Sequence, residues 1–531
     1  MSYDLVLIHP PAIYDFREKV IFPGPVTYTA HRSTGQFIIP PVGMLSIADY
    51  LDRNGYSVLV DNIGNRMVNN KHFDAEKHIG NLSAKVYGVG LHWCHHSQGA
   101  IEIARLCKKL HPDAMVVLGG LTATVFHEEV ILKFSFIDAV IRGEAEKPFL
   151  LLMNALEKHK KLELVPNLTF RDSGGGIRST PLMEPSVDLD EFEFTRLDLI
   201  EPKRSFCGLG WPPDWTIPIL RGCSYNCVTC GGSKDIYKTY LGREKPALRS
   251  PEKVAEDIHK LNDQGVQHVF LCHDPRMGGK EYCNRLIASL RGGKFNLTHL
   301  CTELFYPASE EYIKELLKIG FASVNLTISP DSGAVSVRKA HGRNYSNEEL
   351  FKTVEICKRY GIPLTIFSMI PLANDTPETI RENLEMEERI YIEGEGIGRV
   401  LYSLGPLILL EPGSLAFDFP KSYGYRLIFK NLEDYIRGMS LPSWHQWISY
   451  ETKHLNRKLI ATLIIDSIEH SLNLRERYGL LSSSQAEMGR FWLVTANKMV
   501  IGEVDQAMSL HDEGERLNKL KLFEESLYKS S

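Results

Sequence analysis

At 531 residues the chain exceeds the roughly 250–300 at which one hydrophobic core stops growing, so two or three domains are expected. Hydrophobic residues at 43%, charged at 24% and aromatic at 10% are the composition of a globular protein and exclude wholesale disorder. With 61 Lys and Arg against 66 Asp and Glu the net charge is −5, which leaves no electrostatic case for binding nucleic acid or an anionic membrane surface.

No apolar run reaches the roughly 18 residues that a membrane-spanning helix needs. Met1-Ser2-Tyr3-Asp4 supplies no basic stretch ahead of the apolar Leu5 to Ile8, so no signal peptide is expected, and a reducing cytoplasm is the expected location. Ten cysteines are too sparse for a disulfide scaffold. Seven are scattered, at Cys94, Cys107, Cys207, Cys272, Cys283, Cys301 and Cys357. Three sit together, at Cys223, Cys227 and Cys230.

In chain order, short apolar runs at Asp4–Ile8, Ser57–Asp61, Val86–Leu91, Ala114–Leu118 and Asp138–Ile141 alternate with helical spacing, as in Val42–Arg53 and Gln98–Leu110. That alternation predicts an α/β, flavodoxin-like doubly wound parallel sheet over residues 1–158. Ligands of such sheets sit beyond the carboxyl ends of the strands. Here those ends carry His9-Pro10-Pro11, Asp61 through Gly64 to Arg66, His92 and Trp93 through Ser97, Gly119-Gly120, and Arg142-Gly143-Glu144. Glycines there let backbone approach a large ligand, although tight turns with nothing bound produce the same pattern. No GxGxxG follows the first strand, which argues against a dinucleotide fold. Residues 159–215 read as a linker with a small hairpin around Asp172-Ser173-Gly174-Gly175-Gly176, and Trp211-Pro212-Pro213 marks a boundary.

A strand at Ile217–Leu220 leads into Arg221-Gly222-Cys223-Ser224-Tyr225-Asn226-Cys227-Val228-Thr229-Cys230, a C-x3-C-x2-C loop. Three thiolates from one loop can hold three corners of a 4Fe–4S cubane and leave the fourth iron open. Structural zinc would want a fourth Cys or His, and none lies within a dozen residues. Zinc binding and inert structural cysteines stay as alternatives.

This loop, placed directly behind a first barrel strand, resembles the cluster loop of radical S-adenosylmethionine (SAM) enzymes. The resemblance implies a partial (β/α)6 barrel over residues 216–410. Strands near Val269–Cys272, Leu297–Glu303, Val324–Ser329, Pro363–Ser368 and Arg399–Ser403 keep its rhythm. Helices near Pro251–Gln264, Glu281–Leu290, Ser309–Lys318, Asn347–Arg359 and Pro377–Glu388 intervene, two of them behind the capping residues Ser309 and Ser346. It also implies that SAM chelates the open iron and is cleaved to a 5′-deoxyadenosyl radical, with SAM contacts at His273, Asp274, Glu303, Ser329, Arg343 and Ser368. The bland readings are an exposed strand-end carboxylate for Glu303, a loop cation for Arg343 and an Asp-capped turn for His273-Asp274. The family's Gly-Gly-Glu is not evident near His273, and Gly231-Gly232-Ser233 follows the third cysteine instead.

The two domains together resemble the cobalamin-binding radical SAM enzymes. In that light the first domain's strand ends become a corrinoid pocket, contacted by Asp61, Gly64, Arg66, His92, Trp93, Gly119, Gly120, Gly143 and Glu144. The usual cobalt-ligating Asp-x-His-x-x-Gly is replaced, in the window from Asp61, by Ile63 and Arg66. The cobalt is therefore expected base-off, its lower face water-bound, empty or blocked by Arg66, with His92, His95 and His96 as the nearest other donors or plain strand-end polar contacts. The resemblance implies methylation of an unactivated carbon in a small-molecule or lipid-like substrate, with electrons from a flavodoxin- or ferredoxin-type donor. A cyclase or mutase without methyl transfer is the alternative, as is a non-catalytic iron–sulfur and corrinoid sensor.

Residues 411–531 carry no catalytic pattern. They are expected to form a mainly helical cap over the barrel mouth or a docking module, with amphipathic Arg457–Asn473 and Gln485–Val500. Trp444, Trp447 and Tyr450 suit either an apolar substrate or a packed core. The tail Asp512–Ser531 is expected to fray.

Overall fold

The computed structural model describes residues 2–25, 41–202, 215–295, 298–394 and 400–529. The first sheet comprises β1 (Ser2–His9), β2 (Val58–Asn62), β3 (Ser83–Gly90), β4 (Met115–Gly119), β5 (Ala139–Ile141), β6 (Leu168–Arg171), β7 (Ile177–Ser179) and β8 (Ile200–Glu201). Its order is β7-β6-β5-β4-β3-β1-β2-β8. The inner β2-β1-β3-β4-β5 is parallel throughout, the flavodoxin-like order. Its strands are buried on both faces, completely so in β2, which is why they read as unbroken apolar runs. The chain reverses direction across the sheet between β1 and β3, and a ligand crevice opens at that switch point.

The segment expected as a linker instead extends this sheet. β6 and β7 form an antiparallel hairpin on β5, and β8 adds a parallel strand to β2. The hairpin turn is closed by the Asp172 carboxylate, which accepts from the Gly174 and Gly176 amides at 2.9 and 2.8 Å. Trp211-Pro212-Pro213 lies outside the described residues, as do Leu297 and Arg399, where two barrel strands were expected to begin.

The second sheet is six-stranded and parallel: β9 (Trp215–Ile217), β12 (His268–Leu271), β13 (His299–Leu304), β14 (Ser323–Asp331), β15 (Leu364–Ile370) and β16 (Val400–Pro406). The expected first strand is split. Trp215–Ile217 enters the ladder, Pro218 has no N–H to continue it, and β10 (Leu220–Arg221) turns away to pair antiparallel with β11 (Ala247–Leu248). That break aims the cysteine loop. The intervening helices start where the caps demand: Ser250, Ser309, Ser346 and Thr376 each accept a backbone N–H.

The C-terminal region joins both sheets. Trp444, Trp447 and Tyr450 are fully buried, so core packing is their role. The Tyr450 hydroxyl donates to the Pro371 and Leu407 carbonyls at 2.9 Å, closing over the ends of β15 and β16. Helix Leu432–Met439 is held on the first domain, where Glu129 accepts from the Leu432 and Glu433 amides. The tail does not fray: Glu513–Lys529 is a helix with Leu520 and Leu527 buried against Phe22, Val500 and Val504. Among the described residues no helix is long and apolar enough to cross a membrane.

Candidate active site at the domain junction

The cysteine loop leaves β10 through Gly222, at φ +92°, where a Cβ would stand 3.0 Å from the Pro246 Cα. All three thiols are free, Cys223 and Cys227 half-buried and Cys230 exposed. The Tyr225 amide points at Cys223 Sγ (3.4 Å) and the Gly232 amide at Cys230 Sγ (3.3 Å), donors that favour thiolate. The loop is seated by Val228 N–H on the His341 carbonyl (3.4 Å), and Gly342, at φ +94°, backs onto Cys227. The three sulfurs do not all lie within 4.8 Å of one another. A tetrahedral zinc with Zn–S of about 2.3 Å would draw them to roughly 3.8 Å. The wider spread suits a multi-iron body, and no fourth protein ligand completes a closed site among the described residues.

Across from the loop stands Arg343, whose guanidinium pairs with Asp331 (3.3 Å) and lies 5.6 Å from the Phe305 ring centroid. Asp331 is itself held at φ +65° where β14 breaks register. Glu303, at the end of β13, makes no hydrogen bond among the described residues. Burial pushes its carboxyl up to about 7, with Arg343 opposing and Asp331 and Asp274 adding. These acidic and basic groups, together with Cys223 and Cys227, share one field. Asp274 is committed locally: it caps the Arg276 amide, grips the Arg276 guanidinium at 2.6 Å and accepts from Phe305 N–H. The capped-turn reading thus describes Asp274. His273 packs its Nδ1 3.2 Å from Cys272 Sγ, Ser329 is half-buried on β14, and Ser368 sits beside Asp331 in the ladder.

The crevice of the first domain is lined by β1 and β3. His9 and His96 rings lie 5.0 Å apart, Trp93 is 5.8 Å from His96, and His92 meets Trp93 edge-on at 4.9 Å. Burial pushes His92 and His95 down to about 4, so both are neutral imidazoles at pH 7. Gly120, at φ +111°, admits no side chain, because a Cβ would sit 2.6 Å from the His92 Cα. Gly64 is packed similarly on Pro10 and Pro11, whereas Gly119 has only the Ile141 carbonyl near it. This is a cradle of bare backbone of the kind a flat macrocycle needs.

Three expected corrinoid contacts have charged partners within the protein. Asp61 is fully buried, one oxygen on Arg66 Nε and the other on His78 Nε2, both at 2.7 Å. Arg66 is therefore drawn onto Asp61 instead of standing free to cover a cobalt. Glu144 is taken by Arg243 in a two-pronged pair at 2.6 and 2.9 Å. Gly143, at φ +69°, donates its N–H to Thr124 Oγ1 at 3.0 Å.

Sequence reasoning missed Glu411, because the barrel was ended at residue 410. Its stem lies against Gly231, next to Cys230, where a Cβ would be 3.1 Å away. Its carboxylate reaches the Cys94 amide (3.5 Å) and His95 Nδ1 (3.7 Å) in the first domain's crevice. Burial pushes it up to about 7. Cys94, His95 and Glu411 lie within 4.8 Å of one another, and Cys94 Sγ also faces the Leu410 carbonyl at 4.0 Å. The signal available was the turn Glu411-Pro412-Gly413-Ser414 directly after an apolar run. Glu411 thus touches both the cysteine loop and the crevice.

The three-thiol loop fits a 4Fe–4S cluster with one open iron, and the bare-backbone crevice fits a corrin. Residues 217–386 match the radical SAM superfamily and residues 29–152 the B12 binding domain, together more than half the chain. The chain is a cobalamin-binding radical SAM enzyme. Its cofactors are a 4Fe–4S cluster, SAM and cobalamin. It is similar to an uncharacterized methyltransferase of Pyrococcus horikoshii, 21% identical over 71% of this chain and 79% of the relative. It is also similar to the anaerobic magnesium-protoporphyrin IX monomethyl ester cyclase of Rubrivivax gelatinosus, 24% identical over 65% of this chain and 61% of that protein. Among solved structures, the radical SAM methyltransferase TsrM of Kitasatospora setae, with cobalamin and a [4Fe-4S] cluster bound, superposes with a TM-score of 0.57. That match is at 16% identity and covers 82% of this chain and 81% of that one.

Proposed function

We propose that this enzyme methylates an unactivated carbon of a small-molecule substrate. The observation that carries the reading is Glu411, which touches the cysteine loop on one side and the corrinoid crevice on the other. When bound, the cluster and SAM supply hydrogen abstraction, and cobalamin supplies a methyl carrier. The chain's own part is placement: Cys223, Cys227 and Cys230 would hold the cluster, while Glu303 near the end of β13 and Arg343 in the loop between helices Val335–Ala340 and Asn347–Tyr360 would face SAM. Gly64, Gly119, Gly120, His92 and Trp93 bound the corrin, and Gly143 buttresses them. His273, Ser329 and Ser368 border the SAM space. Two relatives bearing the name methyltransferase support this reading. The buried state of Trp444, Trp447 and Tyr450 leaves them no part in a lipid-like pocket. Electrons are proposed to come from a flavodoxin- or ferredoxin-type donor.

Ring closure without methyl transfer is the second reading, favoured by the 24% identity to a cyclase. Anaerobic reconstitution with a reductant, followed by assay of 5′-deoxyadenosine and S-adenosylhomocysteine, separates them. Both products are expected; deoxyadenosine alone supports the cyclase, and neither leaves only a sensor. Replacing all three clustered cysteines by Ala should abolish the brown chromophore.

A further inference from the structure

Arg221 ends β10, two residues before Cys223. Its guanidinium leaves the barrel and enters the first domain. One Nη pairs with Glu146 at 3.1 Å and Glu144 at 3.3 Å, the other with the second Glu146 oxygen and, at 3.3 Å, with Ser46 Oγ. Its flat face lies 4.7 Å from the Phe192 ring centroid. Arg243 completes the network with its two-pronged hold on Glu144 and a 2.7 Å bond to the Ser186 carbonyl. Arg243 and Glu146 side chains are only 4% and 3% exposed.

We infer that this buried network of two arginines and two glutamates is a positioning device that fixes the cluster loop relative to the corrinoid domain. The inference rests on the two-cofactor reading above. Four features carry it. The partners come from opposite domains, so the network can only form at one docking distance. Glu144 lies in the loop after β5 and Glu146 opens the helix that follows, at the carboxyl ends of the strands where the crevice also lies. Arg221 is separated from the first cluster ligand by Gly222 alone. The planar, bidentate pairing of guanidinium with carboxylate defines orientation as well as distance. A misplacement of about 1 Å between reacting centres can lower a rate roughly 100-fold, so such a tie matters to chemistry and not only to folding.

The test uses the full-length, anaerobically reconstituted enzyme with cluster and cobalamin bound. Arg221→Met removes the tie but leaves Glu146 buried and unpaired, so a second variant, Arg221→Met with Glu146→Gln, removes the pair together and leaves no orphan charge. Four quantities are read: iron and corrinoid content, 5′-deoxyadenosine formed from SAM without substrate, S-adenosylhomocysteine formed from SAM, and the magnetic broadening between the reduced cluster and cob(II)alamin in frozen solution. The expected result for the double variant is unchanged cofactor content and unchanged deoxyadenosine release, with altered broadening. S-adenosylhomocysteine formation is expected to fall about 10- to 100-fold. Arg221→Lys, which keeps the charge but not the fork, should retain wild-type cofactor content without wild-type broadening. Wild-type broadening and S-adenosylhomocysteine formation in the double variant overturn the positioning role. Wild-type protein that takes up iron but no corrinoid overturns the two-cofactor reading itself.

Discussion

Glu303 offers the sharpest measurement. Its carboxyl is half-buried near the end of β13, makes no hydrogen bond among the described residues, and is pushed up to about 7 from an ordinary 4.5 by loss of water. The sign of the consequence follows from linkage. Between about 4.5 and 7 the folded protein holds a proton at Glu303 that the unfolded chain has lost, so ligand-free stability falls as pH rises through that window. A shift of this size corresponds to about 3 kcal/mol. SAM reverses the balance, because its sulfonium charge favours the ionised acid. Binding then requires a proton to leave, and the apparent Kd rises about tenfold for each pH unit below 7. Between about pH 8 and about pH 5 the affinity of cluster-loaded enzyme should drop about 100-fold. Glu303→Gln should remove this dependence and weaken binding at about pH 8 by roughly 10- to 100-fold, the worth of a charge-assisted bond. Calorimetry in two buffers of different ionisation enthalpy should count about one proton more released near neutrality in wild type than in the variant. Glu411→Gln is the control, since Glu411 is pushed to a similar value but lies on the crevice side. A SAM affinity flat with pH in wild type, or a dependence undiminished in Glu303→Gln, would refute the assignment of Glu303 to SAM.

Gly120→Ala should lower stability by about 2–5 kcal/mol, combining a left-handed backbone with a Cβ 2.6 Å from the His92 Cα, and should reduce corrinoid retention, both read by urea titration and by the visible spectrum. Trp444→Ala should cost about 3–5 kcal/mol through a large cavity while leaving SAM affinity unchanged, which denaturant midpoints and calorimetry can check. Asp61→Asn should destabilise the first domain by leaving Arg66 and His78 without their shared carboxylate. Urea unfolding should show this even in corrinoid-free protein, as a structural role requires.

How much could be read beforehand depended on the range of each interaction. The cysteine loop was legible because its three ligands lie within one turn. The strand ends of both sheets were legible because a parallel sheet writes itself as short apolar runs and its helices announce their caps. Glu144 was placed at the right strand end, but its pairing with two arginines was not legible, since they stand 77 and 99 residues further along the chain. Glu411 is 317 residues from Cys94, a distance over which no local pattern operates. Pro218 could have signalled the split in the first barrel strand, because a residue without an N–H donates nothing to a ladder and commonly marks where a strand ends. The tail's Leu520, Phe523 and Leu527 keep helical spacing, a periodicity outweighed by the surrounding charge.

Three separate ties hold the two sheets in one relation. The Arg221–Arg243 network grips the start of the helix after β5, Glu411 reaches from behind β16 to the turn after β3, and helix Leu432–Met439 is anchored through Glu129. These attachments lie on different elements, so a rotation about the line through any two of them is opposed by the third. A buried ionic network contributes little net stability compared with apolar packing, yet it penalises every misdocked arrangement by stranding charge away from water. The frame therefore resists displacement more than it adds to folding, and the separation of cluster and corrin becomes a property of the protein rather than of the cofactors it holds.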